Sequence, residues 1–348
     1  MNTKIVCNNL NITIKALRVY EQEGIVIPKR RENGYRDYSD KDVMKLQQVI
    51  LLREMGFSLK EIKILLDKNK EKQNDIIHSF YFQMKVIENK INELQNIKLT
   101  LKENINQLLN AEESKEEVCF NNIREALEHN KAERKAWVDR WRFDDWAPKY
   151  DNIVKENPKD ELGVFKKYDE VIEKVRKYII KSLPKKVLDI GCGTGSLCGE
   201  LDKSIYVTGI DQSIDMLLET KKRYPNMIYK LGNFLDKPVG KEEFDVVVTT
   251  YAFHHLNSRE KNMALDYMIK YLKPNGKIII GDLMFLNEEE KERKREEFYN
   301  RGRSDLWQIV EDEYYSNIEE LKVYIEKKGY KLEYEHISNF TWIVTIYK

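Results

Sequence analysis

The stretch Val187–Leu197, VLDIGCGTGSL, decides how the second half of the chain is read. Apolar residues with one acid run into Gly191, Gly193 and Gly195, and a helix-like segment follows. We expect a buried parallel strand ending in a tight glycine turn, because a residue without Cβ lets the backbone reverse sharply and approach a ligand. Asp189, two residues before the first glycine, sets the stretch apart from a bare GxGxxG.

Outward from this turn, strand and helix signals alternate. Strands are expected over 186–190, 206–210, 227–231, 244–249 and 277–281. Amphipathic helices are expected over 214–223 and 259–272. Lys273-Pro274-Asn275-Gly276 reads as a turn before the fifth strand, and 332–337 and 340–347 read as two strands around Ser338-Asn339. Five βα units followed by an antiparallel pair make an open sheet with its ligand at the strands' carboxyl ends.

Asp211 closes the second strand, where a carboxylate can accept hydrogen bonds from a ribose diol. That alone would also suit NAD. Three features weigh against a dinucleotide: Ser196 breaks the GxGxxG spacing, Asp189 precedes the glycines where it can order an amino group, and the last strand pair is antiparallel.

This half resembles the class I S-adenosylmethionine-dependent methyltransferases, from about residue 149 to the end. The glycine motif (189–195), GIDQS (209–213), GNFLD (232–236), FDVVVTTYAFHHL (244–256) and LKPNGKIIIGD (272–282) match in order and spacing. The resemblance implies a Rossmann-like fold and S-adenosyl-L-methionine as cofactor. It places Asp189, Gly191 and Gly193 along the methionine part, Asp211 on the ribose with Gln212 beside it, Asn233 and Phe234 at the adenine, and Thr249 close to the sulfonium. Asn233 stands where the family often has Asp, and its amide oxygen can accept from the exocyclic amine. Methyl transfer needs alignment and a nucleophile more than an acid or base, so no residue is forced to be catalytic. His254, His255 and Tyr150 are the candidates. The simpler reading, that the histidines merely follow the fourth strand, takes precedence. Tyr150, Trp146, Tyr251 and Asp282 could border a substrate; Cys192 and Cys198 read as small packing residues. The segment 287–316 is either a substrate cap or a solvated helix with one packed face.

The N-terminal part is a different device. Met1–Lys70 carries 14 Lys/Arg against 9 Asp/Glu, a net of +5, which leaves −4 for the rest of a chain whose total is +1. A basic module on a mildly acidic body suits nucleic-acid binding. A short helix over 4–10 is broken at Asn11, and Thr13 caps a second helix over 14–23. Ile14, Leu17 and Val19 turn inward on it, leaving Lys15, Arg18 and Tyr20 on the other face. Asn33-Gly34 is a hairpin signal flanked by Lys29, Arg30, Arg31 and Arg36, with Tyr35 and Tyr38 interleaved. The run over 4–67 resembles the winged-helix DNA-binding domain of MerR-type transcription regulators. The LRxYE segment (Leu17, Arg18, Tyr20, Glu21), the wing NGYRDY (33–38) and MGFSLKEI (55–62), taken to open the helix after the wing, carry the likeness. It implies that Lys15 and Arg18 enter the major groove and that Tyr20, Arg36 and Tyr38 hold phosphates.

From Phe80, apolar residues recur at Met84, Ile87, Ile91, Leu94, Ile97, Leu101, Ile105 and Leu108, a coiled-coil seam that needs a partner. MerR-type regulators pair through such a helix. Trp137, Trp141, Phe143, Trp146 and Tyr150 cluster ahead of the second fold, as packing or as a lid.

The expected architecture is multidomain, α+β and α/β: a winged helix-turn-helix over 1–70, a coiled-coil dimerisation helix over 71–112, a helical linker over 113–148 and a methyltransferase domain over 149–348. The four cysteines form no CxxC pair, so neither disulfides nor a metal site are signalled. No apolar run reaches spanning length, and a cytoplasmic chain without a membrane partner is expected. Expected partners are double-stranded DNA with a two-fold operator, a second copy as homodimer, and a small-molecule substrate or effector. RNA polymerase stands as a further candidate. The function expected is DNA-binding transcription regulation with methylation of a small molecule. The alternative is a sensor that binds ligand without turnover.

Overall fold

A computed structural model describes residues 1–68, 76–109, 120–124, 154 and 160–348. The chain divides into two compact units, Met1–Val138 and Asp139–Lys348. The aromatic cluster from Trp137 to Tyr150 lies outside the described residues, as does most of the expected linker.

In the first unit, α1 (Thr3–Leu10) ends at Asn11 in the left-handed region, which Asn tolerates. Thr13 caps α2 (Ile14–Gln22) by accepting from the Ala16 N–H. The wing is β1 (Lys29–Arg30) paired with β2 (Arg36–Asp37) around the turn at Gly34. Ser39 and Asp42 form a capping box that opens α3 (Asp40–Glu54). MGFSLKEI therefore does not open the helix after the wing. Met55–Ser58 is the turn that follows α3, and α4 (Leu59–Lys68) begins inside the motif. Gly56, at φ +88°, makes that break.

Leu17, Val26, Tyr38, Leu46, Leu52 and Ile62 form the core of this unit, joined by Phe82 and Val86 of α5 (Ile76–Leu109). The start of the long helix is thus part of the first unit's core, tied to α3 by the buried hydrogen bond from Gln48 to Ser79. The expected seam lies elsewhere on α5: Phe80, Ile87, Ile91, Leu94, Leu101 and Ile105 are exposed.

The second unit opens on α6 (Tyr168–Lys181), whose Val171, Val175 and Ile179 recur at helical spacing and are buried. Valines 171 and 175 lie close over Gly281 of the sheet. Its strands are β3 (Lys186–Ile190), β4 (Tyr206–Asp211), β5 (Ile228–Leu231), β6 (Phe244–Thr250), β7 (Leu272–Phe285), β8 (Ser316–Asn317), β9 (Lys331–Ser338) and β10 (Thr341–Tyr347). The order is β5-β4-β3-β6-β7-β10-β9, with β8 pairing beside β7. Neighbours are parallel except β10, which is antiparallel to both β7 and β9. Between them lie α7 (Ile214–Arg223), α8 (Ser258–Tyr271), α9 (Glu288–Asn300), α10 (Ser304–Asp312) and α11 (Ile318–Glu326).

Both sheet faces are covered, so β3, β6 and the middle of β7 are buried almost continuously and are mostly apolar, without the alternation of a half-exposed strand. Leu188, Val247, Ile278 and Ile280 serve one core; Val187, Val246, Val248 and Ile279 serve the other. Each such buried side chain contributes about 1.5–3 kcal/mol relative to exposure.

Three departures from the expectation have local causes. The fifth strand begins at Leu272, and the expected 273–276 turn is instead an irregularity within it, with Asn275 at φ +68°: Leu272 pairs with Phe244, the register shifts, and Lys277 meets Val246. The segment 287–316 folds as two helices, of which α10 buries Leu306, Trp307 and Val310. Beyond the glycine turn, 196–200 is a run of turns and not a regular helix. Glycines 195 and 199 are poor helix formers, and Tyr224 packs closely over both.

Candidate active site

The carboxyl ends of β3, β4 and β6 open onto a cleft of about 240 Å³. Its walls include Gly191, Gly193, Asp211, Gln212, Asn233 and Phe234. These six sequence-predicted cofactor residues come from three separate stretches, brought together by the reversal of strand order about β3.

The floor is the glycine turn. Gly191 has φ +73°, and a Cβ there would stand 2.5 Å from that of Ala252. Gly193 has φ +52° and faces open space. Its N–H donates to Oδ2 of Asp211 at 2.8 Å, and the Ser213 N–H donates to Oδ1 at 2.9 Å. One carboxylate thus holds both the turn and the start of α7 while still lining the cleft.

Asp189 does not reach the cleft wall. It is 1% exposed, and neither oxygen has a well-formed hydrogen-bond partner. Burial raises its carboxyl to about 7, the Cys198 thiol beside it pulls it back, and the charge of Asp211 raises it further. Cys192 and Cys198 are themselves buried, and burial pushes both thiols well up, as fits packing residues. Thr249 is fully buried; Thr250 lines the cleft in its place, since successive strand residues face opposite sides. Asn233 is exposed, but its side-chain oxygen already accepts from the N–H groups of Leu235 and Asp236. The acceptor role expected of that oxygen is therefore taken by the turn. Phe234 packs edge-on against Phe253, with ring centres 5.7 Å apart.

Opposite the glycine turn stands the short 3₁₀ turn Phe253–His255. Asp282 lies beneath it, fully buried, and is no border to a substrate. Its Oδ2 accepts from the N–H groups of Ala252, Phe253 and His254, and its Oδ1 meets Nδ1 of His254 at 2.5 Å. Burial opposes ionisation of Asp282, but the His254 ring and the backbone N–H groups outweigh it and hold the carboxyl below the usual range. His254 is buried with it, whereas His255 lines the cleft and meets Oε2 of Glu313 through Nδ1 at 3.2 Å. Burial, then the adjacent His254 ring, lowers the His255 imidazole against the pull of Glu313. Tyr251, also on the wall, is held at φ +49° with its ring packed between Phe165 and Tyr168. Tyr150 and Trp146 lie outside the described residues.

Sequence reasoning missed Met216, Gly232, Ala252, Leu256 and Glu260 on the cleft wall, and Glu313 behind His255. Glu313 is 58 residues from its partner and carries no local signal. His254, His255 and Glu313 bring ligand-type atoms within 4.8 Å of one another, a juxtaposition that no spacing in the sequence announces.

The family described as "Methyltransferase domain" matches residues 187–276. An uncharacterized methyltransferase of Oceanobacillus iheyensis is 32% identical over 207 residues, covering 59% of this chain and 95% of that protein. One from Alkaliphilus oremlandii is 35% identical over 206 residues, covering 58% and 94%. The chain belongs to this methyltransferase family. Among solved structures, the magnesium protoporphyrin IX methyltransferase of Synechocystis, with bound SAH, is similar at 14% identity and a TM-score of 0.46, over 60% of this chain and all of that one. The family described as "MerR HTH family regulatory protein" matches residues 1–69, so the methyltransferase unit follows a MerR helix-turn-helix domain.

On that domain Lys15 and Arg18 are exposed one turn apart on α2. Tyr38 is 1% exposed, and its hydroxyl donates to Glu21; Arg36 binds the same carboxylate through Nε at 2.8 Å. Tyr20 is buried too. Tyr20 and Tyr38 are therefore core residues, and the phosphate contacts expected of them do not fit their burial. Among the described residues, no helix is long and apolar enough to cross a membrane.

Proposed function

We propose that the chain is a DNA-binding transcription regulator whose C-terminal unit binds S-adenosylmethionine and methylates a small molecule. The observation that carries the cofactor assignment is Asp211. It presents a carboxylate at the end of β4 while it fixes the Gly193 N–H at the cleft floor. The charge of the cleft favours the same ligand. Among the described residues that line it, Asp211 and Glu260 are acidic and none is Lys or Arg. A net positive sulfonium amino acid suits such walls; a pyrophosphate does not. The irregular 196–200 segment also withholds the aligned N–H groups with which a regular helix start holds pyrophosphate.

The residues fit the group in a second way. The open space over Gly193 admits backbone-close contact, and the unsatisfied Asp189 carboxylate beneath the turn supplies negative charge. Gly191 and Gly193 would hold the methionine portion with the Asp189 charge beneath them, Asp211 with Gln212 the ribose, and Phe234 the adenine, with the Asn233 side-chain amide N–H at its edge. The cofactor supplies a methyl group on a cationic sulfur. The chain's part is to align the acceptor with it and exclude water, which Tyr251 on the cleft wall, packed against Phe165 and Tyr168, supports.

Lys15 and Arg18 would read the major groove. The exposed stripe on α5 supports pairing of two copies through that helix, matching a two-fold operator. The test is a turnover assay with methyl-labelled S-adenosylmethionine against a small-molecule cell extract, with and without operator DNA. Labelled product supports the enzyme; tight cofactor binding with no product would make the unit a sensor.

A further inference from the structure

The 3₁₀ turn that carries His255 is secured from two sides. From below, Asp282 of β7 caps its backbone and holds the His254 ring. From beside, the segment after α10 is fastened to it. The Tyr314 N–H donates to the His254 carbonyl at 3.1 Å, and Nζ of Lys261 on α8 donates to the Tyr314 carbonyl. Burial pushes that lysine down to about 8, against the neighbouring carboxylates. The effect of these ties is to set Glu313 against Nδ1 of His255, a residue that lines the cleft with Gly191, Thr250 and Tyr251. An imidazole that donates its Nδ1 proton to a carboxylate is fixed in the tautomer whose Nε2 bears the lone pair, and the carboxylate stabilises the imidazolium formed when that nitrogen takes a proton.

We propose that His255 is the general base of the methyl transfer, that Glu313 is its positioning residue, and that the acceptor is a hydroxyl, a thiol or a protonated amine that must lose a proton to react. The inference rests on the methyltransferase reading above. The acceptor's nucleophilic atom forms its bond to the methyl carbon as the carbon–sulfur bond breaks. The bonding pair leaves with sulfur, which becomes a neutral thioether, and the acceptor's proton passes to Nε2 of His255. The groups facing His255 are His254 on the same turn, Asp282 from β7 and Glu313 from the α10 side, with Lys261 of α8 behind the last two. Burial and His254 keep the imidazole neutral near pH 7, as a base must be, while Glu313 favours the protonated product.

The test uses the full-length chain and has two arms. In the first, NMR of ring-labelled histidine follows His255 among the five histidines of the chain. The expected result is a neutral Nδ1–H tautomer at pH 7 whose pKa falls by roughly half a unit or more in Glu313→Gln, because the carboxylate's support is removed. An Nε2–H tautomer, or an unmoved titration in the variant, would overturn the pairing. In the second, S-adenosylmethionine binding and methyl transfer to a small-molecule extract are measured together. His255→Gln should leave the cofactor Kd within about threefold while lowering kcat roughly 10²-fold or more, with loss of the low-pH limb of the rate profile. Wild-type turnover that His255→Gln reduces less than about threefold overturns the base and leaves the methyltransferase reading standing. Failure to bind the cofactor, or binding without product, overturns that reading and the base together. Turnover abolished by a chelator and restored by zinc would also overturn the proposal, giving the His254, His255 and Glu313 group to a metal ion instead.

Discussion

The N–H of Gly193 donates to Oδ2 of Asp211 at 2.8 Å, which ties the end of β4 to the glycine turn that follows β3. Both arms of the site therefore depend on one side chain. Asp211→Ala removes the proposed ribose acceptor and leaves the Gly193 and Ser213 N–H groups without their carboxylate partner. We predict a cofactor Kd at least roughly tenfold weaker and a stability loss of about 1–3 kcal/mol, read by calorimetry and denaturant melts. Unchanged affinity would remove Asp211 from the site.

The two glycines of the floor should respond differently to alanine. At Gly191 a Cβ would collide with that of Ala252, a rigid atom, and φ is positive. Gly191→Ala should cost roughly 3 kcal/mol and close the cleft floor. At Gly193 the Cβ would meet open space, so Gly193→Ala should cost only about 1–2 kcal/mol, the left-handed backbone penalty. Thermal melts of the pair check the order, and equal losses would contradict it.

Asp189 makes a pH prediction. Burial raises its folded-state carboxyl from the ordinary 3.8 to about 7. Between those values the folded chain keeps a proton that the unfolded chain has lost, so this group's contribution falls as pH rises from about 4 to about 7 and is level above. Asp189→Asn should raise stability at pH 8, change little at pH 4, and weaken cofactor binding through the lost charge. A variant less stable than wild type at pH 8 would show that the carboxylate is satisfied in the folded chain.

On the MerR helix-turn-helix domain, Arg18→Ala should weaken binding to a duplex selected from random sequence and reduce the salt slope by about one. Glu21→Gln acts differently. It loosens the Arg36 ion pair and the Tyr38 hydroxyl contact, so the wing should lose about 1–3 kcal/mol of stability before any direct effect on DNA. A melt and a binding isotherm on each variant separate the two effects.

Much of this was legible in the residues. β3 and α7 have the bounds that periodicity assigns, and six of the eight expected cofactor residues meet at one cleft. Such motifs are local: a strand, a glycine turn and a capping residue are written in a few consecutive positions. What was illegible depends on tertiary contact. Thr249 and Thr250 differ only in which face of β6 they take, and a strand buried on both faces gives no alternation from which to decide. Tyr38 looked like a phosphate ligand because its burial against Glu21 is fixed by packing 17 residues away. The tie from Glu313 to His255 spans a segment whose own fold was undecided, so the sequence left the histidines without a partner.

The central claim is that the cleft over the glycine turn binds S-adenosylmethionine, and isothermal titration of the full-length chain with S-adenosylmethionine and with NAD tests it most directly. The account predicts one saturable site per chain for S-adenosylmethionine, lost in Asp211→Ala, and no heat from NAD at the same concentrations. Saturable NAD binding with none for S-adenosylmethionine would contradict it.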